Sequence, residues 1–596
     1  MIHRSEIFGF DTVMHTADIC IIGAGAGGLF AAVAAARHGA KVALMHDRPM
    51  VGGNASSEVR MWIRGAHGRD RRETGIVEEL ALANLRRNPT LNFSIWDSVT
   101  YELVKNEPNI DLMLNCSCMS AEMDGDSIVS VTGWQTTTQK FHKVESKIFA
   151  DCSGDSVLAP LTGAEFRMGR EARGEFNEDI SPETADARTM GMSCLFQVRE
   201  TDRPVPYKAP DWAEKFTDET IGHRVNFKNP HQFKGDNFWW MELGGEYDSI
   251  GDTEMLRDKL LAIAFGVWDY YKNSGHFDAA NWELDWVGFL PGKRESRRYV
   301  GDYILTQNDV RMEGRFEDII AYGGWTMDDH HPGGFAAKAS ATIFHRAPSP
   351  FGIPYRCLYS KNIANLMFAG RNISCTHAAT SACRVMATCA TIGQAMGTAA
   401  AIAIANDTSP RGVYMYHLKQ LKQMLMEDDC WLPFNKRAPS SVMAGASAKA
   451  GGIDAAVIFD GCDRTVGGES HLCSFPFGEE LVITLPEMRG IREISFIFDS
   501  DINRDSFVGV NPQFRTYPLR CNRWLHEKPV GLPATLMRDF DLWYENENGW
   551  HKLASVTDNY RRKWTLACDV TAKQIKLVPK CAYGADTARL YSVVLK

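Results

Sequence analysis

Apolar residues run without interruption from Ile19 to Ile22, and a glycine-rich turn follows them directly. A run rich in alanine comes next, and its apolar periodicity predicts a helix over Leu29–His38 that ends at Gly39. A second short apolar run predicts another strand over Lys41–Met45. Strands that alternate with helices in this way are typical of an α/β fold with a parallel sheet.

Three glycines, Gly23, Gly25 and Gly28, stand at the first turn in the spacing G-x-G-x-x-G. In this setting the first glycine makes a tight turn, the second lets the backbone approach a pyrophosphate, and the third lets helix pack on strand. The free N–H groups at the start of the helix then face the phosphates. The pattern therefore predicts a dinucleotide-binding site.

The residue that holds the adenosine ribose is expected about 20 positions beyond the last glycine. Asp47 stands at that spacing, followed by Arg48, while His46 occupies the tip of the predicted strand. Either His46 or Asp47 can take this role, and the sequence does not choose between them.

A second glycine turn follows, which an NAD-binding domain does not need but which FAD-binding domains use to pass the pyrophosphate and reach the flavin. Its candidate cofactor-binding residues are Gly52, Gly53, Asn54 and Ser57.

Two later segments agree with a flavin site. One is a predicted strand that ends in the turn Gly154-Asp155, and the other is a predicted strand that ends in Gly370-Arg371. A long helix of small residues is predicted after it, over about 376–405. Small residues allow a close approach of backbone and cofactor, and a helix N-terminus can stabilise negative charge on a reduced flavin.

With these motifs the chain resembles the FAD-dependent oxidoreductases of the FAD_oxidored type, distant relatives of fumarate reductase flavoprotein subunits. The resemblance spans roughly residues 17–407, and its motifs are Gly52–Arg60, Ala66–Gly68, Asp151–Asp155, Pro291–Arg298, Gly323–Trp325, Ala369–Ser374, His377 and Arg384–Met386. It implies an enzyme with FAD as cofactor. It also implies that Arg60, His67 and His377 lie near the flavin.

Length and composition restrict the class of protein. A chain of 596 residues is too long for one core, and a net charge of −9 argues against nucleic acid as a partner. We expect no membrane association, because no apolar stretch of about 18 residues is seen. The 15 cysteines include no C-x-x-C pair, so we expect reduced thiols, a cytoplasmic location and no structural zinc.

The predicted architecture is a Rossmann-type FAD-binding domain, an inserted α+β substrate domain and a C-terminal all-β sandwich. The FAD-binding domain comprises residues 1–160 and 345–407, the Trp-rich insertion 160–345, a helical connector and linker 408–452, and the sandwich 453–596. Within the connector, 414–427 predicts one helix, and the Pro/Ser/Gly/Ala stretch 439–452 reads as a linker.

Short alternating strands over 480–485, 493–498 and 574–578 predict the sandwich. The segments 541–546 and 550–560 look like a galactose-binding or discoidin-like module, a class that often binds sugars. The alternative is a structural sandwich that braces the enzyme or a homo-oligomer.

Catalytic candidates come from the polar segment 325–334, predicted as a glycine-flanked loop near the flavin. Its histidines, His330 and His331, have a pKa range suited to taking a proton from an alcohol. Neighbours on an extended segment point in different directions, so one of them acts, and we favour His330. Asp329 lies beside them. A structural histidine is the alternative, and adjacent ligands are poor chelators, so we expect no metal here.

The cluster around Arg294 and Arg297 is the second candidate. These side chains can orient a carboxylate or hydroxyls, or stabilise an anionic reduced flavin. The alternative is a buried ion-pair network with Glu295.

The sequence thus predicts an FAD-dependent dehydrogenase or oxidase that acts on a small molecule. We expect it to oxidise a secondary alcohol of a carbohydrate or polyol, with hydride passing to flavin N5 and His330 or His331 taking the proton. Tryptophans of the insertion, which can stack on sugar faces, motivate this substrate; they are Trp239, Trp240, Trp268, Trp282 and Trp286.

Two alternatives stay open. One is a reductase or dehydrogenase of an unsaturated or 2-hydroxy carboxylate, with Arg294 or Arg297 as the carboxylate clamp. The other is a carbohydrate-binding protein in which FAD is structural. The electron acceptor is undetermined, and a separate electron-transfer partner is one option.

Overall fold

The structure of the protein is a computed structural model that describes residues 2–4, 9–507, 519–520 and 522–596. The helices are α1 Ala26–Arg37, α2 Ile76–Arg87, α3 Phe93–Lys105, α4 Leu158–Thr162, α5 Arg173–Phe176, α6 Asp218–Ile221, α7 Thr253–Asn273, α8 Gln307–Arg311, α9 His377–Cys383, α10 Met386–Ala405, α11 Pro410–Tyr416 and α12 Leu418–Glu427.

The strands are β1 Ile2–Arg4, β2 Asp11–Ile22, β3 Val42–Met45, β4 Ile110–Met113, β5 Cys116–Asp124, β6 Ser127–Gln135, β7 Lys140–Asp151, β8 Phe166–Arg167, β9 Met192–Ser193, β10 Phe196–Glu200, β11 Glu242–Leu243, β12 Trp282–Val287, β13 Gly292–Lys293, β14 Arg298–Tyr299, β15 Ile319–Gly323, β16 Met327–His330, β17 Thr342–His345, β18 Phe351–Pro354, β19 Leu366–Phe368, β20 Ser447–Ala450, β21 Ile453–Asp454, β22 Cys473–Pro476, β23 Leu481–Phe498, β24 Met537–Asn546, β25 Gly549–Val556, β26 Lys563–Ala582 and β27 Thr587–Leu595.

The chain forms two compact units. The first unit comprises Met1–Ala66, Asn92–Leu418 and Leu519–Lys528, and the second comprises His67–Leu91, Lys419–Pro518 and Pro529–Lys596. This division differs from the predicted domains. The insertion 160–345 joins the FAD-binding segments in one unit, and α2, which was assigned to the FAD-binding domain, lies in the other.

A mixed sheet organises the first unit, with strand order β4-β3-β2-β7-β6-β5, β1 beside β2 and β19 beside β7. The pairs β2–β3, β3–β4, β2–β7 and β7–β19 are parallel. Their carboxyl ends therefore meet at one edge of the sheet, where open α/β sheets bind ligands. The predicted strands at the two glycine motifs and at Gly154 and Gly370 are all present.

The helices α1 and α10 pack closely because small residues face each other. A Cβ added at Gly393 would stand 2.1 Å from the carbonyl oxygen of Gly27, and one at Gly397 would stand 2.1 Å from that of Ala31. The helix Met386–Ala405 is long and apolar enough to cross a membrane, contrary to our reading of the sequence, but 94% of its apolar window is buried within the protein. Its apolarity is that of a core helix.

The tryptophans of the insertion serve mainly as core. Trp268, Trp282 and Trp240 are buried in an aromatic cluster with α7, and Trp286 lies against the guanidinium of Arg60. Of the five tryptophans named above, Trp239 is the one that reaches the cavity described below. Trp240, Trp268 and Trp282 are therefore not available to stack on a sugar, and Trp286 does not line this cavity.

The second unit is an antiparallel β-sandwich with the path β21-β20-β23-β26-β24-β25, and β27 joins β22 to β23. The predicted strands 480–485 and 493–498 are parts of one long strand, β23, whose pairing with β26 shifts register twice. The predicted linker is partly sheet, because Ser447–Ala450 pairs with β23. The predicted helix 414–427 is divided at His417 into α11 and α12.

The predicted helix 376–405 is also divided, at Arg384 and Val385, and contacts from elsewhere in the first unit explain the break. The Arg384 guanidinium lies 3.3 Å from Asp328, and the Ala387 N–H donates to the Arg64 carbonyl oxygen. A backbone donor that a continuous helix would bond internally is thus satisfied from outside, so Val385 can stay extended.

Candidate active site at the carboxyl edge of the sheet

A cavity of about 730 Å³ lies within the first unit, a volume typical of small-molecule and cofactor sites. It is called the central cavity below. Residues just beyond the parallel strands line it, among them Gly23, His46, Cys152 and Gly370. The insertion contributes a second set of lining residues, so a bound molecule would contact both parts of the chain.

In the first motif, Gly23 and Gly28 stand where the backbone requires glycine, and Gly25 faces open space. Gly23 has a φ of +96°, which favours glycine. A Cβ at Gly28 would stand 1.8 Å from the Gly23 carbonyl oxygen, so this position is fixed by packing within the motif. A Cβ at Gly25 would meet only the Cα of Gly53, at 3.8 Å, among the described residues. A side chain at Gly25 therefore has room in the protein and projects into the cavity that Gly25 lines.

The structure separates the two candidates for the ribose contact. His46 is buried; its Nδ1 accepts the N–H of Ala24 at 3.1 Å, and its Nε2 donates to the Met50 carbonyl oxygen at 2.9 Å. Both ring nitrogens are thus occupied. Burial is the main reason why the pKa of His46 is lowered. Asp47 lines the cavity with a half-exposed carboxylate, and Arg48 lines it beside Asp47. Asp47 is the better placed of the two for a ribose.

The second glycine turn reaches the cavity through Gly53 and Asn54, and Asn54 is anchored by donating to the Lys293 carbonyl oxygen at 3.1 Å. Gly52 does not line the cavity. Its N–H donates to the Ala24 carbonyl oxygen, and its φ is +105°. Ser57 also does not line the cavity, since it faces Asp97.

Arg60, which the family resemblance places near the flavin, lies outside the cavity lining. It donates to Gln197 at 2.7 Å and packs against the rings of Phe93 and Trp286. Burial lowers the pKa of Arg60 to about 10. These contacts assign it to the packing of the insertion. His67 belongs to the second unit and not to the unit that holds the cavity.

Asp155 connects the two later glycine turns. Its carboxylate pairs with Lys293 at 2.8 Å and with Arg371 at 2.7 Å, and all three residues line the cavity with Gly154 and Gly370. Burial opposes its ionisation, but Arg371 and Lys293 lower the pKa of Asp155 to about 2. A fixed, charged group therefore stands at this part of the wall.

The segment 325–334, predicted as a loop, contains strand β16 of a β-hairpin with β17. Side chains of a strand alternate between its two faces. Asp328 and His330 accordingly line the central cavity, whereas Asp329 contacts His377 at 3.2 Å on the other side. His331 does not line the cavity, and its Nδ1 accepts the Gly333 N–H.

His330 sits in a charged group that we call the Asp328 cluster: Asp328, His330, Glu242, Arg294 and Arg384. Its Nδ1 lies 2.7 Å from a Glu242 oxygen and its Nε2 lies 3.4 Å from Asp328. Glu242 is fully buried, but Arg294 and His330 overcome this burial and lower its pKa. Burial also opposes the charge of Asp328, yet His330 and Arg384 hold its pKa well below the usual range.

The two predicted arginines are already engaged. Arg294 is buried and bonds to Gly191, Ser193 and the Trp239 carbonyl oxygen as well as Glu242. Burial lowers its pKa. Arg297 is half-buried over the Phe166 ring. Both line the cavity, and Arg294 fits the predicted ion-pair alternative, with Glu242 rather than Glu295 as its partner.

His377 begins α9 but does not line the cavity. It lies between Glu295, at 2.8 Å, and Asp329, at 3.2 Å. Burial alone would lower its pKa, but these two carboxylates raise it to about 10. His377 is therefore a buried cation that ties the hairpin to the segment after β13, a structural rather than a proton-transferring position.

Trp62, Asn237 and Arg384 are among the lining residues that the sequence did not single out as site residues. Glu242 was not predicted either; it does not line the cavity but bonds to His330, which does. Among the described residues, Trp62 Nε1, Asn237 Oδ1 and Arg384 Nε are buried without a hydrogen-bond partner. Such groups are costly unless a ligand or water completes them. Arg384 stands in a motif of the resemblance, whereas nothing in the sequence around Trp62 or Asn237 marks a site.

A model of the family "FAD dependent oxidoreductase" matches residues 18–425. The chain belongs to this family. The resemblance seen in the sequence is thereby confirmed, and the protein is an FAD-dependent oxidoreductase. No curated protein sequence matches the chain.

Solved structures give weaker likenesses. A geranylgeranyl bacteriochlorophyll reductase-like protein from Thermoplasma acidophilum is 13% identical, with 70% of this chain and 84% of that one covered and a TM-score of 0.32. A variant of E. coli quinol fumarate reductase FrdA is 13% identical over 69% and 75%, with a TM-score of 0.28. The family 32 carbohydrate-binding module of EndoD from Streptococcus pneumoniae is 17% identical over 26% and 99%, with a TM-score of 0.19. Likeness at this level does not carry a function across.

The residues of this family member fit FAD. The space at Gly25 admits a pyrophosphate beside the start of α1, Asp47 offers an acceptor for a ribose, and the buried Nε of Arg371 has no hydrogen-bond partner among the described residues. The start of α10, at Val385 and Met386, lines the same cavity and can stabilise negative charge. When bound, FAD supplies an acceptor for two electrons, and the protein supplies binding, orientation and proton transfer.

Proposed function

We propose that the protein oxidises a secondary alcohol of a carbohydrate or polyol, with FAD as electron acceptor and His330 as the group that takes the hydroxyl proton. The observation that carries this proposal is the position of His330. It lines the central cavity, and carboxylates hold its ring on both sides.

The Asp328 cluster supports a proton-accepting role for His330. Arg294 lowers the pKa of Glu242, whose carboxylate accepts a hydrogen bond from His330 Nδ1. In the neutral ring that the proposal requires, Nε2 is then the nitrogen that takes the hydroxyl proton. The imidazolium that forms lies 3.4 Å from the Asp328 carboxylate, which stabilises its charge. A carboxylate that orients a histidine and stabilises its cation is the arrangement used in many acid–base sites.

The unpaired polar atoms of the cavity support a hydroxylated substrate. Trp62 Nε1 and Arg384 Nε are donors, and Asn237 Oδ1 is an acceptor. A hydroxyl group both donates and accepts, so one molecule with several hydroxyls can satisfy all three atoms. Trp239 and Trp325 also line the cavity and offer ring faces on which a sugar can stack.

The carboxylate alternative has less support from the geometry. One of its two proposed clamps, Arg294, already bonds to four groups of the protein. A substrate carboxylate at Arg294 would have to replace these buried contacts, which costs more than it returns. The other, Arg297, packs over the Phe166 ring and donates to the Asp155 carbonyl oxygen at 3.5 Å.

Anaerobic stopped-flow bleaching of the flavin tests the proposal with a panel of sugars, polyols and 2-hydroxy acids. We expect rapid bleaching by at least one neutral sugar or polyol. Reduced protein should then be mixed with unsaturated carboxylates. Bleaching by 2-hydroxy acids alone, or reoxidation by an unsaturated carboxylate without any sugar oxidation, would overturn the proposal in favour of the carboxylate alternative.

Sugar binding by the second unit stays a prediction. Lys576 lies over the ring of Trp550 and Lys552 lies over that of Trp543. A sugar stacked on the face of either ring that the lysine covers would have to displace that lysine. The structural role of the sandwich is favoured by these contacts.

A further inference from the structure

Three side chains of different chemistry converge in the second unit. Asp460 follows a short 3-10 helix, Cys462 comes two residues later, and His471 precedes β22. A carboxylate oxygen, the cysteine sulfur and a ring nitrogen of these residues all lie within 4.8 Å of one another. Cys462 and His471 are buried, while the Asp460 side chain is 27% exposed and gives access from solvent.

The backbone holds these residues in place without any ligand. Asp460 accepts the Cys462 N–H at 2.9 Å through one oxygen and contacts His471 Nδ1 at 2.5 Å through the other. Between them, Val466 and Glu469 exchange two backbone hydrogen bonds of 3.0 Å in a tight turn that brings His471 back. The group is therefore preorganised, which reduces the cost of binding an ion.

We propose that Asp460, Cys462 and His471 bind one zinc ion. Zinc takes thiolate, imidazole and carboxylate ligands at about 2.0–2.3 Å, so donor atoms in a tetrahedral site lie about 3.3–3.8 Å apart. The 2.5 Å contact between Asp460 and His471 Nδ1 therefore has to open when the ion binds, and donor atoms that stand further apart, within the observed 4.8 Å, have to close on it. Three protein ligands leave a fourth position for water. The sulfur favours zinc over magnesium or calcium, which prefer oxygen alone.

The electrostatic surroundings suit a cation better than a reactive thiol. Four charged side chains act on Cys462, namely the carboxylates of Asp460, Asp463 and Glu469 and the ammonium of Lys436. A nucleophilic cysteine needs cationic surroundings and exposure, whereas here carboxylates outnumber the one cation and the thiol is buried. A divalent ion would instead gain from these charges and displace the thiol proton. From the sequence we expected no structural zinc, because the cysteines of the chain include no C-x-x-C pair.

Zinc content of the full-length, FAD-loaded protein tests the proposal. After incubation with a slight excess of zinc sulfate and gel filtration, we expect one zinc per wild-type chain by mass spectrometry. Cys462→Ser and His471→Gln should fall to about a tenth of that content, because each removes one of three ligands. Cys473→Ser is the matched control, since this buried cysteine two residues after His471 lies outside the group, and it should keep wild-type zinc.

X-ray absorption at the zinc edge makes the test independent of how well the variants fold. One sulfur scatterer with nitrogen or oxygen neighbours is expected for the wild-type protein. Wild-type protein that takes up no zinc, an ion with no sulfur neighbour, or a Cys462→Ser variant that is folded by circular dichroism and keeps its zinc would each overturn the proposal.

Discussion

His330 is the residue on which the proposed chemistry depends, and its neighbour His331 is the natural control. We expect His330→Gln to slow flavin reduction by about 10²- to 10⁴-fold, the usual contribution of a general base. Glutamine keeps a polar partner for Glu242, and FAD content should not change. His331→Gln should reduce flavin at the wild-type rate, because His331 does not line the cavity. Stopped-flow absorbance measures both. Equal rates for the His330 variant and the wild type would exclude the assigned role.

Trp62 tests whether the unpaired polar atoms of the cavity recognise substrate hydroxyls. Trp62→Phe removes the buried Nε1–H, which has no hydrogen-bond partner among the described residues, and keeps an aromatic ring. A neutral hydrogen bond contributes about 0.5–1.5 kcal/mol, so KM should rise about 2- to 10-fold while kcat changes little. Trp212→Phe is the control, since Trp212 is 55% exposed and away from the cavity. Unchanged steady-state kinetics for the Trp62 variant would remove this support for a sugar.

His377 should make the stability of the protein depend on pH. Its pKa is about 10 in the folded protein and 6.5 in model compounds. A raised folded pKa gives stability that is full below pH 6.5 and is lost as the pH rises towards 10. The loss of stability caused by His377→Gln, measured as the decrease in unfolding temperature relative to the wild type, should therefore be largest at acidic pH. It should become smaller towards pH 10.

A matched control for His377 lies on the same helix. Ser381→Ala removes one neutral buried hydrogen bond, to the Ala378 carbonyl oxygen. The decrease in unfolding temperature that it causes should therefore not vary with pH. A decrease for His377→Gln that is equally constant across this range would show that His377 is neutral when folded.

At the scale of elements, the turn after β2 allows a clean test of cofactor binding. We expect Gly25→Val to give folded protein without FAD. The φ of −71° at Gly25 suits valine, and the added Cβ meets only Gly53 at 3.8 Å among the described residues, so the side chain extends into the central cavity. Flavin absorbance per chain, with circular dichroism for the fold, is the measurement. Gly174→Val, where a Cβ meets nothing within 4 Å, should keep FAD. Stoichiometric FAD in the Gly25 variant would contradict this assignment of the cavity.

Local sequence signals were sufficient to predict β2, the glycine turn after it and α1, because the glycines of the turn themselves set the geometry of this segment. The hairpin strand β16 was missed because polar residues occupy both of its faces, and the usual alternation of polar and apolar residues is lost. Asp328 and His330 line the central cavity, whereas Asp329 contacts His377 on the other face of the strand. The division of the predicted helix 376–405 was missed for another reason. No proline or glycine marks it, and the contacts of Arg384 with Asp328 and of Ala387 with Arg64 come from residues distant in sequence.

At the scale of the whole molecule, each compact unit contains chain from both sides of residue 452. In the second unit, Glu78 of α2 is fully buried and is paired with Arg504 at 2.9 Å and Arg72 at 2.8 Å. In the first unit, Asn522 donates to the carbonyl oxygens of Phe233, Lys234 and Asp236. The predicted linker 439–452 is therefore not a point at which the chain can be divided without loss.

Truncation measures this interdependence. We expect a chain that ends at residue 452 to be insoluble or free of FAD. Glu78 would lose its partner Arg504, and the apolar side of α2 would lose most of the second unit, to which α2 belongs. Breaking a buried ion pair alone costs about 3–5 kcal/mol, a large part of the stability of an ordinary domain. Co-expression of residues 453–596 as a separate chain should restore soluble, yellow protein, since it returns both Arg504 and Asn522. A soluble 1–452 fragment with one FAD per chain would show instead that the flavin-binding unit folds without residues 453–596, and that the contacts of Asn522 contribute little to its stability.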